Sequence, residues 1–159
     1  MLVDSFWGNI FRSKIDVDNV KLLRNVTTFK DFPMVDLVKI SNILHARRFY
    51  KNEFIFRENE PGECMYIIKS GKVKIFSKQK QDEREISILE SGAFFGEVSL
   101  IDEYPRSAGA VALEESHLLV FFRSELMTLI DRDPRLSSFI LLQLCGVIGE
   151  RLRHNNSQL

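Results

Sequence analysis

Apolar residues recur along this chain with two different periods. At its start Val3, Phe6, Trp7, Ile10, Phe11 and Ile15 fall three to four residues apart, the spacing of one helical face, and Val20, Leu23, Val26 and Phe29 repeat the pattern in a second segment. Pro33, whose fixed φ suits the start of a helix, opens a third segment running to about Leu44. From Arg47 to Phe122 the period shortens. β-Branched and aromatic runs at 53–56, 65–69, 72–77, 85–89, 107–112 and 117–122 are separated by Pro61-Gly62, Ser70-Gly71 and Ser91-Gly92. Many short strands closed by such turns predict a small antiparallel roll or barrel. Gly71 is expected in a tight hairpin, and the polar run KQKQDER at 78–84 at a solvated loop tip.

Helical spacing then returns. Ser124, followed by Glu125, is placed to cap one helix, and Asp133-Pro134 reads as a cap with proline at the first helical position. In the helix that Pro134 opens, running to about His154, Leu136, Phe139, Ile140, Leu141, Leu142, Leu144, Val147, Ile148 and Leu152 go nearly all the way round. A helix apolar on every side must be covered on every side. The roll buries one face, so the other needs either the N-terminal helices or a second copy of the chain. A homodimer through this last helix is the simplest supply; packing within one chain is the alternative. Gly146 and Gly149 would let another backbone approach closely. The pattern therefore divides into an amphipathic arm at 1–19, N-terminal helices at 20–46, a β-roll at 47–122, C-terminal helices at 123–154 and a polar tail at 155–159. The stripe in the arm fits core or dimer contact, or a docking helix for another protein. The fold class is α+β, mainly β: an antiparallel β-roll of the double-stranded β-helix, jelly-roll-like kind, flanked by helices at both ends.

Composition narrows the function. The chain has 159 residues, 45% of them hydrophobic with 13 Phe, and 28% charged, which fits one globular domain and leaves no room for a second catalytic or DNA-reading one. Lys plus Arg is 22 and Asp plus Glu is 22, so the broad positive field of a nucleic-acid binder is not expected. Cys64 and Cys145 stand far apart without CxxC spacing and read as buried small hydrophobes in a reducing cytoplasm. The start carries no basic leader, and the longest apolar stretch, 139–149, is short of the ~20 residues that span a bilayer, so neither export nor membrane insertion is expected. His45, His117 and His154 are scattered, which argues against a metal site, and no serine or cysteine has a base and orienting acid beside it in a motif. No enzymatic reaction and no cofactor are expected.

The stretch with chemistry is 92–112, GAFFGEVSLIDEYPRSAGAVA. It places one acid, Glu97, just after Gly96, and one arginine, Arg106, just after a proline and before the small residues Ser107, Ala108, Gly109 and Ala110. Small residues let a ligand approach the backbone. A short helix starting at Gly96 would favour an anion at its amides, and a guanidinium is a two-pronged donor matched to phosphate oxygens. A carboxylate suits sugar hydroxyls instead. An acid and an arginine held together in a small roll thus fit a ligand with one negative charge beside a hydroxyl. The residues equally allow Glu97 and Arg106 to pair with each other across a loop.

FFGEVSLIDEYPRSAGAVA closely resembles the phosphate-binding cassette of the cyclic nucleotide-binding domain family, which includes the bacterial catabolite activator protein and the regulatory subunits of protein kinase A. IFRENEPGECMYIIKSGKVKIF is similar to the family's earlier strand pair, ILESGAFFGE to its approach to the cassette, and FFRSELMTLIDRDPRLSSFI to the helices that follow, so the resemblance covers about residues 20–154. It implies that Glu97 accepts the ribose 2′-hydroxyl proton, that Gly96 leaves room for the sugar, and that Arg106 clamps the exocyclic phosphate oxygens. Ser107 and Ala108 match positions giving a backbone amide, and for serine a hydroxyl, to the phosphate. Phe95 and Ser99 fall within the cassette, and Val98, Leu100 and Ala110 match apolar wall. Gly109 and Ala110 depart from the threonine that many kinase-type relatives place after Ala108. Ser107 resembles cAMP-binding members more than cGMP-selective ones. The run from Arg151 to Asn156 looks like the end of the activator's last helix, which makes Asn155 and Asn156 candidates for adenine contacts, although the spacing from Pro134 is longer by about one turn of ~3.6 residues.

The implied function is a cytoplasmic sensor domain for a cyclic nucleotide, cAMP ahead of cGMP, that signals by moving its C-terminal helices. Its output would be a dimer contact or a protein effector, because the downstream helix-turn-helix of the activators is not expected in this chain. The alternative is a scaffold that keeps the roll for dimerisation and binds no nucleotide.

Overall fold

The computed structural model describes residues 16–79 and 82–156, and the side chains of 16–78 and 83–154. Most of the 1–19 arm lies outside the described residues; its last three positions form the first turn of helix α1 (Val17–Asn25). Asp16 caps that helix, its Oδ1 accepting from the Asn19 amide at 3.0 Å. The helix ends before Val26, whose extended backbone turns the chain, so Val26 and Phe29 reach the core from a turn and not from a helical face. Helix α2 (Met34–Asn42) follows Pro33.

Eight antiparallel strands are described after it: β1 (His45–Phe49), β2 (Phe54–Phe56), β3 (Cys64–Ser70), β4 (Val73–Gln79), β5 (Asp82–Leu89), β6 (Phe94–Phe95), β7 (Gly109–Ala112) and β8 (Ser116–Phe122). They form two four-stranded sheets, ordered β1-β8-β3-β6 and β2-β7-β4-β5, which close the mainly-β roll. Helices α3 (Arg123–Arg132) and α4 (Pro134–Asn156) follow. β3 and β8 are apolar on consecutive residues because both of their faces are covered. Met65, Ile67, Leu119 and Phe121 join the helices in one core, while Tyr66, Ile68, Leu118 and Val120 line the roll interior in a second. Alternation along these strands thus divides one sequence run between two cores.

Several expectations change here. β1 escapes the periodicity because it is an edge strand with an exposed centre, Ala46, Arg47 and Arg48, and charge on an edge blocks unwanted pairing. The run at 78–84 is mostly not a loop: β4 and β5 stay paired from Val73↔Leu89 to Gln79↔Asp82, with Lys74 Nζ 2.6 Å from Glu83 Oε1 across the ribbon. Ser124 does not cap α3; Phe122 occupies the cap position and makes no side-chain bond there. Asp133 does cap α4, its Oδ1 accepting from the Leu136 amide at 3.1 Å. Gly71 takes φ +99° at the β3–β4 turn, where a Cβ would stand 2.6 Å from the Ser116 backbone.

α4 is covered on one face only. Leu136, Ile140 and Leu144 are buried, and Phe139 stacks on Phe32 at 4.3 Å, while Leu142, Gly146 and Leu152 are exposed. Cys145 lies on the exposed side, so of the two cysteines only Cys64 is buried. No helix among the described residues is long and apolar enough to cross a membrane.

Gly109 shows how tightly the roll is filled, since a Cβ there would lie 2.4 Å from the Phe76 ring. Phe76 is fully buried and has nowhere to retreat. Gly109→Ala is expected to destabilise the domain by about 1–3 kcal/mol, the usual consequence of overpacking, read as a lower denaturant midpoint at unchanged slope.

Candidate functional site

The cassette begins at Gly96, which takes φ +74° between β6 and a short 3₁₀ helix, Glu97–Leu100. Glycine is required there twice over, by the left-handed backbone and because a Cβ would fall 2.6 Å from Arg106 Nη1. Glu97, the first residue after this turn, is 2% exposed.

Arg106 is fixed first by its backbone. Its amide donates to the Glu60 carbonyl and its carbonyl accepts from the Asn59 amide, both at 2.8 Å, so the cassette is tied to the turn before β3. Its side chain runs inward and is 6% exposed with the rest of the residue. Nη1 donates to the Gly96 carbonyl at 3.2 Å, and Nη2 to the Cys64 carbonyl at 2.8 Å and to Cys64 Sγ at 3.5 Å. The guanidinium lies 4.2 Å from the Phe56 ring centroid, a cation over a π face. Nε is buried without a hydrogen-bond partner. The charge is therefore held by neutral acceptors and an aromatic face, with one donor left over.

Glu97 and Arg106 are brought to the same place, since Arg106 is bonded to the residue that precedes Glu97. They do not pair with each other. The partner of Glu97 is Arg151, whose Nη1 donates to Oε1 from the last turns of α4. The Arg151 side chain is half exposed and its guanidinium lies 5.5 Å from the Phe94 ring centroid. An ion pair thus connects the cassette to the C-terminal helix. Beside it, Tyr66 stacks on Phe95 at 5.2 Å, and Phe56 touches both rings at 5.8 and 5.9 Å. Burial, reinforced by a hydrogen bond with Cys64, pushes the Tyr66 hydroxyl well above its ordinary range, so the phenol stays a neutral donor.

Of the residues expected from the sequence, Phe95, Gly96, Glu97, Ser99 and Arg106 gather at this point, and Ala110 lies in the roll interior. Ser99 packs against Gly62, where a Cβ would stand 2.2 Å from its Oγ. Ser107 is exposed and Ala108 half-buried. Val98 is 44% exposed, and Leu100 is buried in the helix-side core and not in the roll. Asn155 and Asn156 are the last residues of α4, and their side chains lie outside the described ones. Sequence reading missed Arg151, Cys64, Phe56 and Tyr66 as parts of the site. Arg151 stands beside Glu150, Arg153 and His154 in the polar end of the helix, and nothing local sets it apart or connects it to an acid 54 positions away. Two surface depressions, of about 170 and 560 Å³, lie elsewhere, around Phe54 and Lys78 and around Arg47 and His117, and neither includes Glu97 or Arg106. Among the described residues no group of three His, Cys, Asp or Glu side chains is placed to hold a metal ion.

Comparison with known proteins places this geometry. Residues 46–133 match the family model of the cyclic nucleotide-binding domain. The cyclic AMP receptor protein of Thermus thermophilus is 37% identical over 115 residues, 71% of this chain and 51% of that protein. The cGMP-dependent protein kinase 2 of Mus musculus is 36% identical over 101 residues, 62% of this chain and 13% of that protein. The crystal structure of the Thermus thermophilus catabolite activator protein superposes with a TM-score of 0.76 at 31% identity, covering 83% of this chain and 61% of that one. The chain thus spans about half the length of the Thermus relative and a much smaller share of the kinase.

Proposed function

Because the chain belongs to the cyclic nucleotide-binding domain family, we propose that it is a sensor that binds cAMP in preference to cGMP at Glu97 and Arg106 and signals by moving α3 and α4. In this reading it performs no reaction, makes no DNA contact of its own and works in the cytoplasm with both cysteines reduced. One observation carries the proposal: the buried Arg106 guanidinium donates to the carbonyl of Gly96, the residue just before the buried Glu97, and the Glu97 carboxylate is held by an arginine of the last helix.

The electrostatics supply a driving force. Arg106 donates to two backbone carbonyls and a thiol and leaves Nε unused, so an arriving phosphate replaces neutral acceptors with charged ones, which form shorter and stronger bonds. Glu97 accepts the ribose 2′-hydroxyl. Arg151 already engages that carboxylate, so occupancy changes what holds the end of α4. Only a contact that differs between the free and bound arrangements shifts their populations, and the Glu97–Arg151 pair is such a contact. The preference for cAMP rests on Ser107 beside Arg106, since the relatives named above bear both cAMP and cGMP in their names.

Calorimetry tests the reading. Titration with cAMP is expected to saturate at one nucleotide per chain, with cGMP weaker by about tenfold, or ~1.4 kcal/mol. Adenosine 5′-monophosphate, with an open phosphate, should give no heat. A flat trace with both cyclic nucleotides favours the scaffold reading instead.

The exposed face of α4 supports a homodimer in the same proposal. Leu142, Cys145, Gly146 and Leu152 are all exposed on it, with successive spacings of three, one and six residues, and nothing lies within 4 Å of a Cβ built on Gly146. Leu142→Glu, at a position 69% exposed in the single chain, is expected to leave folding intact. It should weaken the dimer at least ~tenfold in sedimentation equilibrium. Equal self-association would remove α4 from the interface.

A further inference from the structure

α3 begins without a side-chain cap of its own, and the residue at its start does something else. The Arg123 guanidinium turns back over the cassette. Nε donates to the Ser99 carbonyl at 3.2 Å, and Nη2 donates to the Asp102 carbonyl at 2.7 Å and the Gly62 carbonyl at 3.1 Å. Nη1 donates to Glu103 Oε1 at 2.9 Å. The Arg123 amide also donates to the Glu63 carbonyl at 2.7 Å. This side chain is only 18% exposed, unlike the surface pairs elsewhere on the molecule.

These acceptors are not a random set. Ser99 and Asp102 lie at and just beyond the carboxyl end of the 3₁₀ helix that carries Glu97, where carbonyls lack intrahelical partners and a cation is favoured. Gly62 belongs to the turn before β3, and on its other side a Cβ would meet Ser99 Oγ at 2.2 Å and Arg106 Nε at 3.1 Å. The same strip of backbone is therefore gripped by Arg106 from the site and by Arg123 from the helices. A guanidinium is suited to this because its planar fork presents several donors at fixed angles.

We infer that Arg123 is a positioning residue: it sets the Glu97–Asp102 segment relative to Arg106 and makes displacement of that segment and rotation of α3 a single event. The inference rests on the cyclic nucleotide reading of the site. It goes beyond the Glu97–Arg151 pair, because it gives the site a second connection, at the beginning of the C-terminal helices and not at their end.

Hydrogen exchange read by mass spectrometry, with and without saturating cAMP, tests it on the full chain. In the free Arg123→Ala variant, amides at 97–102 are expected to exchange about tenfold faster than in wild type while those of α1 are unchanged. With cAMP, the wild type should change exchange in both the cassette and α3, and Arg123→Ala in the cassette alone, with affinity lower by about tenfold. Leu126→Ala, which removes a buried side chain of the same helix without touching these carbonyls, controls for mere destabilisation and is expected to keep the change at α3. Should Arg123→Ala not fold, Arg123→Lys keeps the charge without the fork and should give the same uncoupling in weaker form. Unchanged exchange at 97–102, or a cAMP response at α3 equal to that of wild type, overturns the inference. If wild type itself binds no cyclic nucleotide, the reading of the site fails, and the free-protein comparison still decides whether Arg123 holds the segment.

Discussion

Arg106→Leu loses cyclic nucleotide binding by at least ~3 kcal/mol, on the order of a hundredfold, in a calorimetric titration against wild type. Leucine fills the space but supplies no donor, so the phosphate enters without its charged partner. The same substitution also removes the donors to the Gly96 and Cys64 carbonyls and the cation over Phe56. Buried carbonyls left without donors cost about 1–3 kcal/mol, so a lower thermal midpoint accompanies the loss. Arg106→Lys separates the two effects. It keeps a charge near the aromatic face, restores part of the stability, and still binds poorly because a point charge cannot reach two phosphate oxygens in the plane of a fork. Wild-type affinity in Arg106→Leu would remove this residue from the site.

Glu97→Ala has the second largest effect, and the ligand itself separates its causes. Deleting the carboxylate should weaken cAMP by about a hundredfold, as for a hydrogen bond to a buried charged group. It should weaken 2′-deoxy-cAMP far less, because that analogue lacks the hydroxyl in question. The variant also releases Arg151, whose half-exposed guanidinium passes into water. Amides at 148–154 in α4 are then expected to exchange faster even without nucleotide, and Arg151→Ala to reproduce that loosening. Equal losses for cAMP and its 2′-deoxy analogue would show that Glu97 acts through packing and not through the ribose.

The parts of this molecule legible in its sequence are those whose causes are local. Glycine before glutamate and proline before arginine mark the cassette because the left-handed turn at Gly96 and the inward course of Arg106 are decided within a dozen residues. The six apolar runs became strands for the same reason, and Asp133-Pro134 started α4 as its chemistry dictates. What stayed hidden depends on partners distant along the chain. β1 is an edge strand whose outward arginines break the alternation. Residues 78–79 and 82–84 are charged like a loop but paired as strand, and only the facing strand shows the difference. Arg151, Cys64 and Arg123 bond groups 20 to 61 positions away along the chain, and no periodicity encodes such a contact. The outer face of α4 is apolar in the sequence whether a second chain covers it or solvent does, so only the structure shows it uncovered within one chain.

A crystal structure of the chain grown with cAMP bears most directly on the account. It should place the exocyclic phosphate oxygens within hydrogen-bond distance of Arg106, now withdrawn from the Gly96 carbonyl, and the ribose 2′-hydroxyl on Glu97. Nucleotide lodged elsewhere, with Arg106 still on the Gly96 and Cys64 carbonyls and Glu97 out of reach of the sugar, would contradict it.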